Sequence, residues 1–571
     1  MQGGVKMAEA VQKRWLKHYP DEIPHHLEYD EKPLFAYLQE AAKEHPNQIA
    51  LHFMGKEMTY QDVYESALKL ANELRNLGVK KDDRVAIMLP NTPQSVISYY
   101  AVLLAGGIVV QTNPLYTERE LEHQLKDSGA KILICVDLVH PRVMKVKGNT
   151  ALEHVIATSI KHYLPFPKNL LYPLVRKRDY PDLKLNIQYN DTMHRFMDLI
   201  KRGSSAEIPL DVEPKKDVAL LQYTGGTTGL AKGVILTHYN LTVNTQQCKA
   251  WNYKVEDGKE AVLAILPFFH VYGMTVVMNL SIMTRAKMII MPKFDPLDTL
   301  KTIDKHKPTL FPGAPTMYIG LLNHPEVEKY DLSSIKACLS GSAALPIEVQ
   351  QKFEDLTNGK LVEGYGLTEA SPVTHSNFIW GKRVTGSIGV PWPDTDAKIV
   401  KEDGSEAEIG EIGELVIKGP QVMQGYWNRP DETAEVLKDG WLYTGDMGYM
   451  DKEGYFYIVD RKKDMIIAGG FNIYPREIEE VLYEHEAIQE AVAVGVPDEY
   501  RGETVKAFIV LKEGKHVTEK ELDEYCRKHL AAYKVPRQYE FRDELPKTMV
   551  GKVLRRALIE EEKEKQESKK L

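Results

Sequence analysis

The stretch Tyr223–Gly233, YTGGTTGLAKG, gathers three kinds of residue suited to holding an anion. Gly225, Gly226 and Gly229 let the backbone fold tightly and aim its N–H groups at a phosphate. Thr224, Thr227 and Thr228 add hydroxyl donors, and Lys232 adds a positive charge. The chemistry of such a loop is that of a phosphate cradle. It is not a Walker A loop, in which Gly-Lys-Ser/Thr opens a helix. Here Lys232 precedes Gly233, and a short apolar run, Val234–Leu236, follows. By itself a Gly/Thr-rich turn with one lysine is usually an exposed turn, so the remaining segments must decide.

Other chemically suited groups follow in order. Pro267–Gly273 reads PFFHVYG, with His270 inside an aromatic cluster that would by itself suffice to hold a histidine. Gly341–Ala343 is GSA, Glu363–Tyr365 is EGY, and Thr368 and Glu369 end YGLTE. A carboxylate there suits Mg²⁺, a hard cation that often takes one carboxylate plus substrate phosphates. Tyr443–Asp446 is YTGD, and a carboxylate has the acceptor capacity to hold hydroxyl groups. Pro546–Arg556, PKTMVGKVLRR, would ordinarily be a solvated basic surface.

Taken together and in this order, the segments resemble the adenylate-forming superfamily of acyl-CoA synthetases, luciferases and peptide-synthetase adenylation domains. The resemblance runs from about residue 30 to 560 and is strongest to the bacterial long-chain fatty acid–CoA ligases, particularly over Asp439–Asp464. Ala231 stands where the family usually has proline; this changes loop stiffness, since proline fixes φ, but removes no phosphate donor. The resemblance implies that Thr224–Gly229 and Lys232 hold the β- and γ-phosphates of ATP. It implies an adenine pocket of Gly341, Ser342, Ala343, Glu363, Gly364 and Tyr365, with Tyr365 stacked on the base. Asp446 and Arg461 would bind the ribose, and Thr368 and Glu369 would form the magnesium turn, with Glu369 the metal ligand. Lys552 would be the catalytic lysine, and His270 would sit beside the substrate carboxylate. Gly273, Met274 and Gly313 would line the acyl pocket; some long-chain relatives carry a tryptophan gate where Met274 aligns. Asp460 matches the hinge, and Gly469, Gly470 and Phe471 the loop that meets the pantetheine arm of coenzyme A.

The implied activity is a long-chain fatty acid–CoA ligase. A fatty acid and ATP give acyl-AMP and pyrophosphate; acyl-AMP and CoA then give acyl-CoA and AMP, with the C-terminal domain rotating between the steps. A medium-chain or aryl acid–CoA ligase of the same family, and a non-catalytic acyl- or nucleotide-binding protein, stay open as alternatives.

The elements that must position these residues are legible in outline. At 571 residues the chain is too long for one core. Val63, Ala67, Leu70, Ala71 and Leu74 form a helical stripe, and Thr117 with Glu120 forms a capping box. Arg84–Leu89, Ile108–Gln111, Ile132–Val136 and Val218–Tyr223 read as strands alternating with helices. That alternation predicts α/β architecture with parallel sheets covered on both faces. Residues 386–446 predict a β-rich portion of the same body. The expected division is an N-terminal AMP- and acyl-binding domain, 1–459, and a small mobile α+β domain, 460–571, carrying Lys552.

Hydrophobic residues at 43% and charged residues at 27% are globular values. The net charge of -8 argues against general nucleic-acid binding. Four dispersed cysteines, Cys135, Cys248, Cys338 and Cys526, have no metal spacing and fit a reducing compartment. No apolar run approaches the about 18 residues of a membrane span, and the first residues carry no signal-peptide pattern. The expectation is a cytoplasmic protein, with a homodimer left open. Ile160–Arg178, IKHYLPFPKNLLYPLVRKR, combines apolar residues, three prolines and basic ends. Two readings stand: peripheral contact with an anionic membrane surface, or a loop packed on the body.

Overall fold

The computed structural model describes residues 13–181, 183, 185–224, 231–468, 471–498, 501–548 and 552–570. Its N-terminal part is built on sheets of the expected α/β kind. One has eight strands in the order Gly425–Tyr426, Lys232–Thr237, Val218–Thr224, Ile108–Gln111, Arg84–Met88, Ile132–Val136, His154–Thr158, Met193–Arg195. From Val218–Thr224 to Met193–Arg195 the pairing is parallel. At the other edge it turns antiparallel, because residues 225–231 join Val218–Thr224 directly to its neighbour Lys232–Thr237. So short a connection cannot make the crossover that a parallel pair requires. The all-parallel expectation is therefore corrected at this edge, and the Gly/Thr-rich segment joins two strands rather than opening a helix.

The helices form as their sequences dictate. Tyr60–Asn76 begins at a capping box of Thr59 and Asp62 and buries the stripe Val63, Ala67, Leu70, Ala71 and Leu74. Pro93–Leu104 is buried along its whole length, its polar Gln94, Ser95 and Ser98 included. The Thr117–Glu120 box opens Glu118–Ser128, which ends at Gly129 in the left-handed region.

A second pair of sheets carries the site. Ala261–Ala264, Lys287–Ile290, Ile49–Phe53 and Lys56–Thr59 form one, and Ala337–Ser340, Lys360–Gly366, Val373–Ser376 and Val390–Pro391 the other. Leu310 bridges Val262 to Ala337 and so joins them edge to edge. Against them pack the helix His238–Trp251 and a π-helix, Gly273–Asn279. The β-rich portion is a sheet of Asp396–Val400, Gly413–Lys418, Trp441–Met450 and the short Leu437–Lys438, with Phe456–Arg461 paired to Trp441–Met450.

From Ile466 onward the chain forms its own sheet, Phe471–Ile473, Ile466–Ala468, Gly502–Leu511 and Ile488–Asp498, with Gln538–Phe541 parallel to Gly502–Leu511. Its apolar clusters are separate from the large N-terminal one, which extends to Phe456. Pro475 opens the helix Pro475–Tyr483, and the Thr518–Glu521 box opens Glu519–His529.

Ile160–Arg178 is a 3-10 turn, Ile160–Tyr163, followed by a helix, Lys168–Asp179. Tyr163 and Leu164 are buried, but no residue of the helix is. Phe166, Leu170 and Leu174 are 78%, 66% and 68% exposed, while Ile160 and Tyr172 pack against the core, so the segment is anchored on the body and turns its other apolar residues outward. No helix among the described residues is long and apolar enough to cross a membrane.

Candidate active site

The site lies where the eight-stranded sheet, the β-rich portion and the C-terminal domain meet. Asp446 is a buried carboxylate on Trp441–Met450, directly opposite Arg461 on the adjacent strand. The Tyr365 hydroxyl donates to its Oδ2 at 2.5 Å, and Arg461 Nε stands 3.4 Å from its Oδ1. A buried carboxylate needs such partners. Tyr365 comes from the end of Lys360–Gly366, and its ring meets the buried His375 edge-on at 5.9 Å. Two residues singled out for base and ribose binding are thus hydrogen-bonded to each other, with Arg461 at ion-pair distance.

Glu363 has a different surrounding. Its Oε2 accepts the Leu345 N–H at 3.2 Å, and Arg476 of the C-terminal domain approaches Oε1 at 3.8 Å. Burial raises its pKa, against the pull of Arg476. Glu363 therefore braces the segment that follows Gly341, Ser342 and Ala343. Ser342 adopts a left-handed φ of 72°, and a Cβ on Gly341 would lie 2.9 Å from the Tyr272 ring.

On the phosphate side, Thr368 and Glu369 lie in a 3-10 turn, Thr368–Ala370. The Tyr426 hydroxyl donates to Glu369 Oε1 at 2.8 Å, and Lys232 Nζ sits 5.1 Å from the Tyr426 ring centroid. Lys232 also pairs with Glu432. Tyr426 thus links the lysine to the carboxylate, and a cavity of about 340 Å³ opens beside Glu369, Tyr426, Thr444 and Gly445. With one oxygen engaged by Tyr426, Glu369 keeps acceptor capacity for a cation. Among the described residues no cluster of three or more metal-ligating side chains exists. That donor set suits Mg²⁺ carried in on phosphate, held by one carboxylate. Gly225, Gly226, Thr227, Thr228 and Gly229 lie outside the described residues; Thr224 and Lys232 face each other across the strand pair.

Lys552 follows Thr548, whose N–H donates to the Lys552 carbonyl at 2.8 Å while its hydroxyl accepts the Lys552 N–H at 3.2 Å. Its ammonium is pushed down to about 7, by burial first and then by Arg461, with Lys463 and Arg555 adding and Asp446 opposing. These partners set it near Asp446 and Arg461. Asp460 is buried and its carboxyl is pushed up to about 6, chiefly by burial. It accepts the N–H groups of Arg461 and Arg476 at 2.7 and 2.9 Å. Ala468 pairs with Phe471 across two short strands; Gly469 and Gly470 lie outside the described residues.

His270 is held neutral, its pKa pushed to about 4 by burial. It sits where Pro267 and the π-helix approach, its carbonyl accepting the Met274 N–H at 2.9 Å. Gly273 is required by backbone crowding, since a Cβ there would lie 2.3 Å from the Pro267 carbonyl oxygen. Gly313 lies under the Tyr318 hydroxyl, and Met274 is fully buried. Tyr426, Glu432 and Arg476 were not singled out by the sequence; their partners lie tens to hundreds of positions away, and no local pattern marks them.

Two outcomes follow from the charges. An anionic phosphate beside Lys552 favours its charged form, so ATP binding near about pH 8, between the depressed value and the ordinary lysine range, takes up protons. Calorimetry in buffers of different ionisation heat measures this, and Lys552→Ala removes the Lys552 share. Because the folded value lies below the ordinary 10.5, the same group makes stability rise with pH through that window. For the second, the partly exposed Lys232–Glu432 pair contributes about 0–1 kcal/mol. Glu432→Gln frees Lys232 for phosphate, and steady-state titration with ATP then gives a KM lowered by up to about fivefold; a raised KM would refute competition.

Known proteins resemble this chain over most of its length. Residues 38–427 match the AMP-binding enzyme family, and residues 477–552 the AMP-binding enzyme C-terminal domain. A long-chain-fatty-acid–CoA ligase of Bacillus subtilis (strain 168) is 61% identical over 557 residues, covering 97% of this chain and 99% of the relative. One of Yersinia pestis is 42% identical, covering 97% and 98%. ATP-bound MatB from Rhodopseudomonas palustris superposes with a TM-score of 0.81 at 29% identity, covering 93% of this chain and 98% of that one. The chain belongs to the AMP-binding enzymes, within the adenylate-forming superfamily.

Proposed function

We propose that this protein is an ATP-dependent long-chain fatty acid–CoA ligase. The observation that carries the reading is the convergence of Lys552 from the C-terminal domain with Asp446 and Arg461, beside Glu369 and Lys232. The near-full-length relatives named for this activity support the acid class.

A carboxylate resists a thiol because its leaving group would be oxide; adenylation replaces that group with AMP. In the first step the fatty carboxylate oxygen attacks the α-phosphorus, and pyrophosphate leaves with the electrons of the broken P–O bond. Two anions must approach, so the site supplies positive charge. Lys552 bridges carboxylate and α-phosphate, and Lys232 holds the outer phosphates once they displace Glu432. Glu369 would hold Mg²⁺, which when bound screens the phosphate charge. Asp446, steadied by Tyr365 and Arg461, accepts the ribose hydroxyls. This is positioning and electrostatic stabilisation by preorganised groups. In the second step the CoA sulfur attacks the acyl carbon, AMP departs, and the thiol proton passes to solvent. Rotation about Asp460 serves that step by withdrawing Lys552 and bringing the Gly469–Phe471 segment to the thiol. It requires breaking the Arg476–Glu363 approach between the two domains.

The helix Lys168–Asp179 supports peripheral contact with a membrane. Phe166, Leu170, Leu171 and Leu174 project to solvent, and Arg176, Lys177 and Arg178 close the C-terminal end. Exposed apolar residues beside basic ones fit an anionic lipid surface, where fatty acids partition.

AMP release with ATP, Mg²⁺ and CoA, measured from hexanoate to stearate, peaks at the long acids and requires CoA. Lys552→Ala lowers that rate by a factor matching ~3–4 kcal/mol. A peak at short or aryl acids moves the substrate class, and no turnover with any acid overturns the ligase reading. For the membrane contact, the protein sediments with anionic vesicles and is released by salt, and Leu170→Asp with Leu174→Asp lowers retention. Equal retention on neutral and anionic vesicles, or none on either, would sink the contact.

A further inference from the structure

Lys232 is met by a carboxylate, and that carboxylate is itself shared. Glu432 Oε2 pairs with Lys232, while Arg429 Nε stands 3.6 Å from Oε1. Arg429 has a second partner. Its Nη2 donates to Asp127 Oδ1 at 2.9 Å, and the Tyr223 hydroxyl donates to Asp127 Oδ2 at 2.7 Å. Four charges thus alternate in a row, Lys232, Glu432, Arg429 and Asp127, and Tyr223 ties the last of them to the strand Val218–Thr224.

The two ends of the row are built differently. The Asp127 side chain is only 9% exposed, and its backbone carbonyl accepts the Trp427 indole N–H at 3.0 Å. Arg429 Nη1 donates to the Asn428 carbonyl at 3.0 Å. The guanidinium is therefore held from two sides, with Nε left toward Glu432. Lys232 and Glu432 are both partly exposed, where an ion pair is weak and exchangeable.

A phosphate that takes Lys232 removes the cation from Glu432 and leaves a carboxylate close to a polyanion. Like charges at that range oppose binding. A second cation for Glu432 relieves the opposition, and Arg429 already stands on its other oxygen. A small turn of the Glu432 side chain closes the gap, and the anchored, planar guanidinium need not move.

We propose that Arg429 is a positioning residue for ATP: fixed by Asp127, it receives Glu432 when the outer phosphates take Lys232. The inference rests on the reading of Lys232 as a phosphate ligand and adds the residue that lets the lysine leave its ion pair.

Binding without turnover tests this. Arg429→Gln removes the charge offered to Glu432, while Asp127 keeps the Tyr223 hydroxyl. Calorimetric titration with ATP and Mg²⁺, acid omitted, then gives a Kd raised by up to about fivefold, the range of one partly exposed ion pair. AMP, which lacks the outer phosphates, binds as before. In a Glu432→Gln background there is no carboxylate to receive, and Arg429→Gln leaves the ATP Kd unchanged. That cycle separates the exchange of partners from a direct pull of Arg429 on phosphate, which would persist there. A separate readout needs no nucleotide. Acetic anhydride modifies Lys232 more slowly in Arg429→Gln, where Glu432 turns wholly to the lysine, and faster in Glu432→Gln; mass spectrometry of the peptides reads both rates against Lys520, 86% exposed. An unchanged ATP Kd in Arg429→Gln, an equal loss of AMP binding, or an effect that survives in the Glu432→Gln background overturns the exchange. If the natural protein binds neither nucleotide, the phosphate reading of Lys232 falls; slower labelling in Arg429→Gln still supports the shared carboxylate, and unchanged labelling overturns it.

Discussion

A buried carboxylate must be compensated, and the way Asp446 is compensated sets how the molecule is assembled. Its strand belongs to the β-rich portion, Tyr365 reaches it from the sheet of Lys360–Gly366, and Arg461 ends the strand Phe456–Arg461 that precedes the C-terminal sheet. Three parts of the chain must be in register for one ionised group to be tolerated. Asp446 is therefore a structural centre of the candidate site. Removing either partner would leave charge in a poorly solvated place, which costs more than the bond itself.

The positive side is arranged in the opposite sense. Lys552 and Lys463 are pushed down, to about 7 and about 8, by burial first and then by Arg461, with Arg555 adding. Arg555 pairs with both oxygens of Glu479 at 2.7 Å, and Arg461 with Asp446 at 3.4 Å. The protein holds cations together that repel in the absence of a ligand, and a triphosphate relieves that repulsion. Fixed groups of this kind cost no reorganisation when charge develops in the reaction.

Much of the frame was legible in the sequence because it is local. Capping boxes at Thr117 and Thr518, the stripe of Tyr60–Asn76 and the strands Ile108–Gln111 and Ile132–Val136 depend on neighbours within a few positions. The antiparallel edge at Lys232–Thr237 was missed because alternating strands and helices suggest a parallel sheet, while the short connection forbids one. Among site residues, His270, Glu369, Asp446 and Lys552 stand in recognisable segments. Tyr426 and Arg476 do not: each acquires its meaning from a carboxylate, Glu369 or Glu363, that only tertiary folding brings near. The exposed leucines of Lys168–Asp179 were visible as residues, but their outward orientation depends on the body they fail to meet.

One tie joins halves of the site that are usually considered apart. Thr275 of the π-helix donates its hydroxyl to the Ser371 carbonyl at 2.8 Å, and Ser371 directly follows the turn that holds Glu369. Ser371 in turn donates to the Gln421 carbonyl at 2.8 Å, in the segment leading to Tyr426. The π-helix after His270 and the turn that holds Glu369 thus meet at Ser371. Variants selected to accept a new acid will carry altered nucleotide affinity with them, so selectivity and ATP use in this fold are inherited as one trait.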